Sequence, residues 1–265
     1  MSKRVVLAVA AHPDDIELMM AGTMLMLGKA GCALHYVNLC NGCLGTAEHD
    51  KAVITEIRAE EARNAAEILG AVWHPPLCDD LELLYDATVL RKLGALVREV
   101  SPSIMLLQSP QDYMEDHTNA CRLAVTAAFS RGMRNFSTDP PRAPIDTDVT
   151  LYHALPWGLR DPLRRIVRAG QYVDISEVLN IKRSALAAHK SQKEWLDRSQ
   201  GLDSYLTTME EMARRVGLMS GRYEYAEGWR RHLHLGFCSE SADPIANLLR
   251  ASNFTDVEYE RSLES

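Results

Sequence analysis

No stretch of this 265-residue chain runs apolar for the roughly 20 residues that a membrane helix requires, so no membrane span is expected. The opening segment, MSKRVVLAVAAHPDD, has too short an apolar run for a secretory signal and reads as a strand. Positive charge is scarce: 29 Lys plus Arg face 36 Asp plus Glu, a formal charge of −7, which argues against a nucleic-acid partner. Cysteine is sparse and scattered, at Cys32, Cys40, Cys43, Cys78, Cys121 and Cys238. No disulfide framework is implied, and a cytoplasmic setting with reduced thiols is expected. The chain lacks G-x-S-x-G, a Walker loop and G-x-G-x-x-G, which leaves serine-hydrolase, nucleotide and dinucleotide chemistry without a motif. It also lacks repeats and low-complexity runs. With 46% hydrophobic and 25% charged residues it has the composition of a folded protein with one large core.

The first half alternates strand-like and helix-like segments. Val5–Ala11 is a continuous apolar run, as in a strand buried on both faces. A helix is expected from Asp15 to Ala30, ended by Gly31, then a strand over Ala33–Cys40 closed by the Asn41-Gly42 turn. Further helices are expected at Ala52–Leu69, Thr88–Val100 and Thr118–Arg131, with a strand at Ser103–Gln108 between the last two. Ser137–Asp148 reads as a loop and Asp148–Leu155 as a strand. Helices at Glu177–Arg198 and Ser204–Val216 and a short strand near His232–Phe237 complete the pattern. This alternation predicts an α/β fold, a Rossmann-like, mostly parallel sheet with helices on both faces. One domain is expected over residues 1–238, becoming more irregular towards its C-terminal end. The tail, 239–265, is expected to pack on it or to mediate self-association into a homo-oligomer. In such sheets ligands sit at the carboxyl ends of the strands, which directs attention to the segments after Ala11, Cys40 and Gln108.

Ala11-His12-Pro13-Asp14-Asp15 follows the first strand and puts an imidazole and two carboxylates within four positions. His and Asp donors suit Zn²⁺ with an open coordination position. His12 and Asp15, three apart in a turn that enters a helix, can converge on one ion. Asp14 then stands beside it, where a general base is needed. A plain helix cap would account for one of the aspartates but not for His12 or the other. A third ligand must come from another strand end, and Asp116-His117, after the strand ending at Gln108, is so placed.

The Ala52–Leu69 segment has an apolar face of Ile54, Ile57, Ala62, Ala65, Ile68 and Leu69, with Arg58 and Glu61 in the middle of it. Two buried charges need partners. They either pair with each other at i, i+3, or Arg58 reaches a pocket and binds a polar substrate.

These motifs, taken in order, resemble the PIG-L/LmbE family of zinc-dependent N-acetylglucosamine-type deacetylases. The resemblance rests on AHPDD, the Asn41-Gly42 and Gly45-Thr46 loop, Arg58-x-x-Glu61 with Leu69-Gly70, and Pro110-x-Asp112-Tyr113-x-x-Asp116-His117. It continues through Val173-Asp174-Ile175-Ser176, Lys182, His189-Lys190-Ser191-Gln192 and Tyr225-Ala226-Glu227-Gly228. The resemblance implies a hydrolase that removes acetyl groups from small N-acetylated amino sugars or glycoconjugates. His12, Asp15 and His117 would bind Zn²⁺ or another divalent transition metal, and Asp14 would be the general base. Arg58 and Asp112 would contact substrate, and Asp116 would stand behind a metal ligand.

One position departs from the family pattern. Many members carry His or Arg three residues before the third ligand to stabilise the oxyanion; here it is Met114, which donates no hydrogen bond. Tyr113, His153 and Arg160 are candidate substitutes. The same departure is compatible with other chemistry at the metal, such as hydration of an unsaturated acid or hydrolysis of another acyl group. A non-catalytic carbohydrate binder on this scaffold would have no use for Asp14. Cys40-Asn41-Gly42-Cys43 has no second cysteine pair and reads as thiols around a turn. His232 and His234, beside Arg230 and Arg231, read as surface. Trp157 and Trp195 are candidates for sugar stacking, though core packing is the commoner role.

Overall fold

The computed structural model describes residues 3–193 and 204–264. Eight strands form one sheet: β1 (Val5–Ala10), β2 (Ala33–Asn38), β3 (Ala71–His74), β4 (Ile104–Leu107), β5 (Thr150–Ala154), β6 (Gln171–Asp174), β7 (Ala226–Arg231) and β8 (Asn253–Thr255). Their spatial order is β3-β2-β1-β4-β5-β7-β6-β8. The first five run parallel, and β7, β6 and β8 are joined antiparallel. The helices are α1 (Asp15–Met19), α2 (Ala21–Lys29), α3 (Lys51–Ile68), α4 (Ala87–Val100), α5 (Glu115–Phe129), α6 (Leu179–Ala187), α7 (Ser204–Ser220), α8 (Pro244–Leu249) and α9 (Val257–Ser262).

The apolar runs explain the layers. In β1, Val6, Ala8 and Ala10 face a core shared with residues of α1, α2, α3, α6 and α7. Leu7 and Val9 face a second core made largely with α4 and α5. A strand covered on both faces has no polar side to show, which is why its sequence reads as unbroken rather than alternating. β1 has β2 on one side and β4 on the other, so the strand order reverses between β1 and β4. Side chains leaving the carboxyl ends of those two strands meet in the crevice there.

Three expectations change, and β3 is an element that none of them covered. The helix expected over Asp15–Ala30 is two helices, broken at Met20 (φ −134°). β3 has half-exposed residues on the sheet edge and carried no periodic signal. The strand expected near His232–Phe237 lies instead at β7. That strand contains Glu227 and two arginines, and its Glu227 is buried because partners from other elements satisfy it. The helix expected at Glu177–Arg198 begins at Leu179 and is interrupted after Ala187; the chain is helical again over 190–193, and residues 194–198 lie outside the described residues. The tail packs back on the domain: β8 pairs with β6, and Ile245 and Leu249 of α8 enter the first core. Among the described residues no helix is long and apolar enough to cross a membrane.

Candidate metal centre and active site

The chain leaves β1 at Ala10 and turns sharply, with Ala11 N donating to Gln108 Oε1 at 2.9 Å, which ties the turn to the end of β4. Asn38 Nδ2 holds the His12 carbonyl at 2.6 Å. Asp14 sits at φ 109°, a left-handed conformation that non-glycine residues rarely adopt. Such strain costs on the order of 1–3 kcal/mol and persists where surrounding structure holds it. Although Asp14 occupies the N-cap position of α1, its side chain makes no capping bond. Its Oδ2 instead accepts from Tyr205 Oη at 2.8 Å and lies 3.7 Å from Arg58 Nη2. The capping explanation therefore fails for Asp14.

His117 lies in the first turn of α5, after β4, and faces His12 and Asp15. His12 Nδ1 and His117 Nε2 are 3.3 Å apart. Asp15 Oδ1 is 3.4 Å from His117 Nε2, and Asp15 Oδ2 is 3.5 Å from His12 Nδ1. Tetrahedral ligands at bond lengths of ~2.0–2.1 Å are separated by about 3.3–3.4 Å, so these three residues could hold a metal ion with little adjustment. Each imidazole is backed by a carboxylate on its other nitrogen. Asp116 Oδ2 lies 3.0 Å from His12 Nε2, and Asp112 Oδ1 lies 2.9 Å from His117 Nδ1. Such partners fix the ring orientation and the tautomer. Asp116 Oδ2 also accepts from Leu81 N at 2.8 Å. Asp112, expected to contact substrate, thus sits behind His117, because its carboxylate is committed to the imidazole and does not line the cavity.

The imidazoles and carboxylates of the cluster shift one another. Burial opposes a charged His12, but Asp116 and Asp15 outweigh it and push the imidazole up to about 10. Burial also opposes the Asp15 charge, yet His117 and His12 hold its carboxyl below the usual carboxylate range. His117 is raised as well: burial works against its charge, and Asp15 and Asp112 more than compensate. Asp14 moves the other way. Burial pushes its carboxyl up, and Arg58 opposes this only in part. Cys40 also approaches His12 and Asp116. Its thiol is held protonated by a hydrogen bond with Cys78 and by burial, which makes it a poor donor to a metal.

The cluster opens into a cavity of about 430 Å³. Arg58 reaches it from α3 through the glycine loop: a Cβ at Gly42 would lie 2.6 Å from Arg58 Cδ, and Gly45 leaves equally little room. Arg58 Nη2 donates to Pro13 O at 2.5 Å. The internal pair with Glu61 does not form, because Glu61 instead accepts from Ser191 N at 2.8 Å and Ser191 Oγ at 2.6 Å. Met114 lines the cavity beside Tyr113, whose ring stands edge-on to His117 at 5.6 Å. Of the other two candidate substitutes, His153 bonds Gln108 O and His232, and Arg160 bonds Arg164 O; neither lines the cavity. Trp157 does line it, and Trp195 lies outside the described residues. Tyr205 and Gln192 also line it. Sequence reasoning did not select Tyr205, whose partner is 191 positions away.

Comparison with known proteins places the chain in a family. The family model PIG-L, described as GlcNAc-PI de-N-acetylase, matches residues 7–129. Diacetylchitobiose deacetylase of Thermococcus kodakarensis is 31% identical over 238 residues, covering 85% of this chain and 82% of that protein. 4-Oxalmesaconate hydratase of Pseudomonas putida is 28% identical over 236 residues, covering 84% of this chain and 86% of that protein. The structure of N,N'-diacetylchitobiose deacetylase from Pyrococcus horikoshii superposes with a TM-score of 0.73 at 24% identity, covering 88% of this chain and 85% of that one. The chain belongs to the PIG-L de-N-acetylase family.

Proposed function

We propose that this protein is a metal-dependent deacetylase that hydrolyses the acetamide of an N-acetylated amino sugar or glycoconjugate. One juxtaposition carries the reading. Three donors of metal-binding chemistry sit at tetrahedral spacing, and a strained, buried carboxylate stands next to them on the same cavity. The relatedness to diacetylchitobiose deacetylase supports the substrate class. Two imidazoles and a carboxylate suit Zn²⁺, and another divalent transition metal fits the same donors. Bound by His12, Asp15 and His117, such an ion supplies Lewis acidity to the acetamide carbonyl and acidifies water.

The chain's own residues supply the rest. Tyr205 and Arg58 both address Asp14 Oδ2, which leaves Oδ1 to act as the base. Asp14 takes a proton from the attacking water as the C–O bond forms. It returns that proton to the amine nitrogen as the C–N bond breaks, giving acetate and a free amine. Burial that raises the Asp14 carboxyl makes it a stronger proton acceptor. Asp112 and Asp116 hold the two imidazoles in place. Arg58 and Gln192 would offer polar contacts to the sugar, and Tyr113, which lines the cavity beside Met114, would donate to the oxyanion.

The test is metal content and turnover together. His12→Ala, Asp15→Ala and His117→Ala should each lose metal, while Asp14→Ala should keep it and lose acetate release. Undiminished zinc in all three ligand variants would refute the assignment. A second reading, metal-assisted hydration of an unsaturated acid, is favoured by Met114 and by the hydratase relative. Acetate release from a panel of N-acetyl sugars separates the two, since a hydratase releases none.

A further inference from the structure

A second cavity of about 530 Å³ shares no lining residue with the first. It lies against α5 and β7, with three arginines on its walls, Arg122, Arg230 and Arg231, and no aspartate or glutamate. Elsewhere Arg58, Arg63, Arg142, Arg183 and Arg214 pair with carboxylates, and Arg98 and Arg131 are each held by several backbone carbonyls. Among the described residues the three cavity arginines have none within 4.0 Å. Arg230 donates only to neutral acceptors, Gln111 Oε1 and Ser109 Oγ, both at 2.9 Å, and its buried Nε has no partner. Arg122 lies over the Tyr85 ring at 4.6 Å, and Arg231 donates to the Ala242 carbonyl.

Burial disfavours the Arg230 charge, and no carboxylate stands against it among the described residues. A half-buried guanidinium without a counter-ion is costly unless an anion from outside supplies the missing charge. Planar guanidinium forks match tetrahedral oxyanions, and several together match a dianion better than a single carboxylate. The cavity is much larger than inorganic phosphate, and Val125, Leu233 and Tyr85 give it apolar walls. We infer that this cavity binds the phosphate monoester group of a small organic molecule, held by Arg122, Arg230 and Arg231. The site is separate from the metal cluster but touches its support. Arg230 bonds the Ser109–Gln111 segment, which leads directly into Asp112, Asp116 and His117.

Isothermal titration of the intact, metal-loaded protein with inorganic phosphate and with glucose 6-phosphate tests this. Saturable binding is expected for both, tighter for the ester. Arg122→Gln and Arg231→Gln should each weaken it by roughly tenfold or more. Arg58→Gln, in the other cavity, should leave it unchanged. Arg122 is on the exposed side of α5, so its variant should fold normally even if Arg230→Gln does not. Tighter binding of inorganic phosphate than of the ester would overturn the organic ligand in favour of a free-ion site. Binding unchanged in Arg122→Gln and Arg231→Gln, or lost in Arg58→Gln, would assign the phosphate to the metal cluster and overturn the inference. A change of molar mass by light scattering in the arginine variants would make this face an interface between copies and overturn it equally.

Discussion

Two ion pairs in this protein have nearly the same length and should differ greatly in worth. Lys182 Nζ lies 2.6 Å from Glu227 Oε1, with side chains 1% and 3% exposed. Arg183 Nε lies 2.7 Å from Glu210 Oε1, with side chains 49% and 37% exposed. Glu227 also accepts from Gly22 N at 2.8 Å and Thr23 N at 2.7 Å, and Lys182 donates to Leu18 O at 3.0 Å. The buried pair therefore joins β7, α6, α1 and the start of α2 under the metal turn. Lys182→Met removes the cation and strands a buried carboxylate, which costs roughly 3–5 kcal/mol. At about 2–4 °C per kcal/mol for a chain of this size, Tm should fall by about 6–20 °C. Arg183→Met breaks a solvated pair worth about 0–1 kcal/mol, so Tm should move by no more than ~4 °C. The double variant Lys182→Met/Glu227→Gln should recover part of the loss, because the uncompensated charge goes with it. Calorimetry with the metal site in one defined state for all variants makes the comparison, since bound metal itself shifts Tm. Equal small shifts for Lys182→Met and Arg183→Met would refute the claim that burial, not distance, sets the worth of the pair.

Asp14→Asn should lower turnover by about 10²–10⁴-fold with metal content intact; a rate near wild type would remove Asp14 as the base. Asp112→Asn should weaken metal binding by about 10–100-fold through the freed His117 ring, and equal affinity by chelator competition would show that the ring needs no such support. Tyr113→Phe should lower kcat by about 10²–10³-fold if the phenol stands in for a donor at Met114; an unchanged kcat would send the search elsewhere. Metal affinity should rise with pH. Burial opposes charge on His12, but Asp116 and Asp15 push it up to about 10, so this ring holds a proton near pH 7 that a metal must displace, and His117 is shifted in the same direction. Each released proton adds about tenfold in affinity per pH unit, and a flat profile between about pH 6 and 8 would contradict proton displacement.

The meeting of His12, Asp15 and His117 was largely legible in the sequence because its parts are local. An unbroken apolar run marks a strand buried on both faces, and a His-Pro-Asp-Asp turn at its end puts two donors within a helical turn of each other. His117 followed from the rule that adjacent parallel strands end at one crevice. Periodicity reports which face of a helix is buried, not what it is buried against. Arg58 and Glu61 were correctly placed on the inner face of α3, but the tertiary structure sent one to Pro13 and Asp14 and the other to Ser191. Strand β7 was invisible because its Glu227 looks polar until Lys182 and the start of α2 close around it. The same holds for the base. Sequence alone supplied Asp14 as a carboxylate beside a metal turn. Only the packing of α7, which brings Tyr205 across 191 positions, shows that its Oδ2 is engaged. Local spacing determines what a short segment can bind, whereas burial and the partners that set a group's charge depend on contacts between segments far apart in the chain.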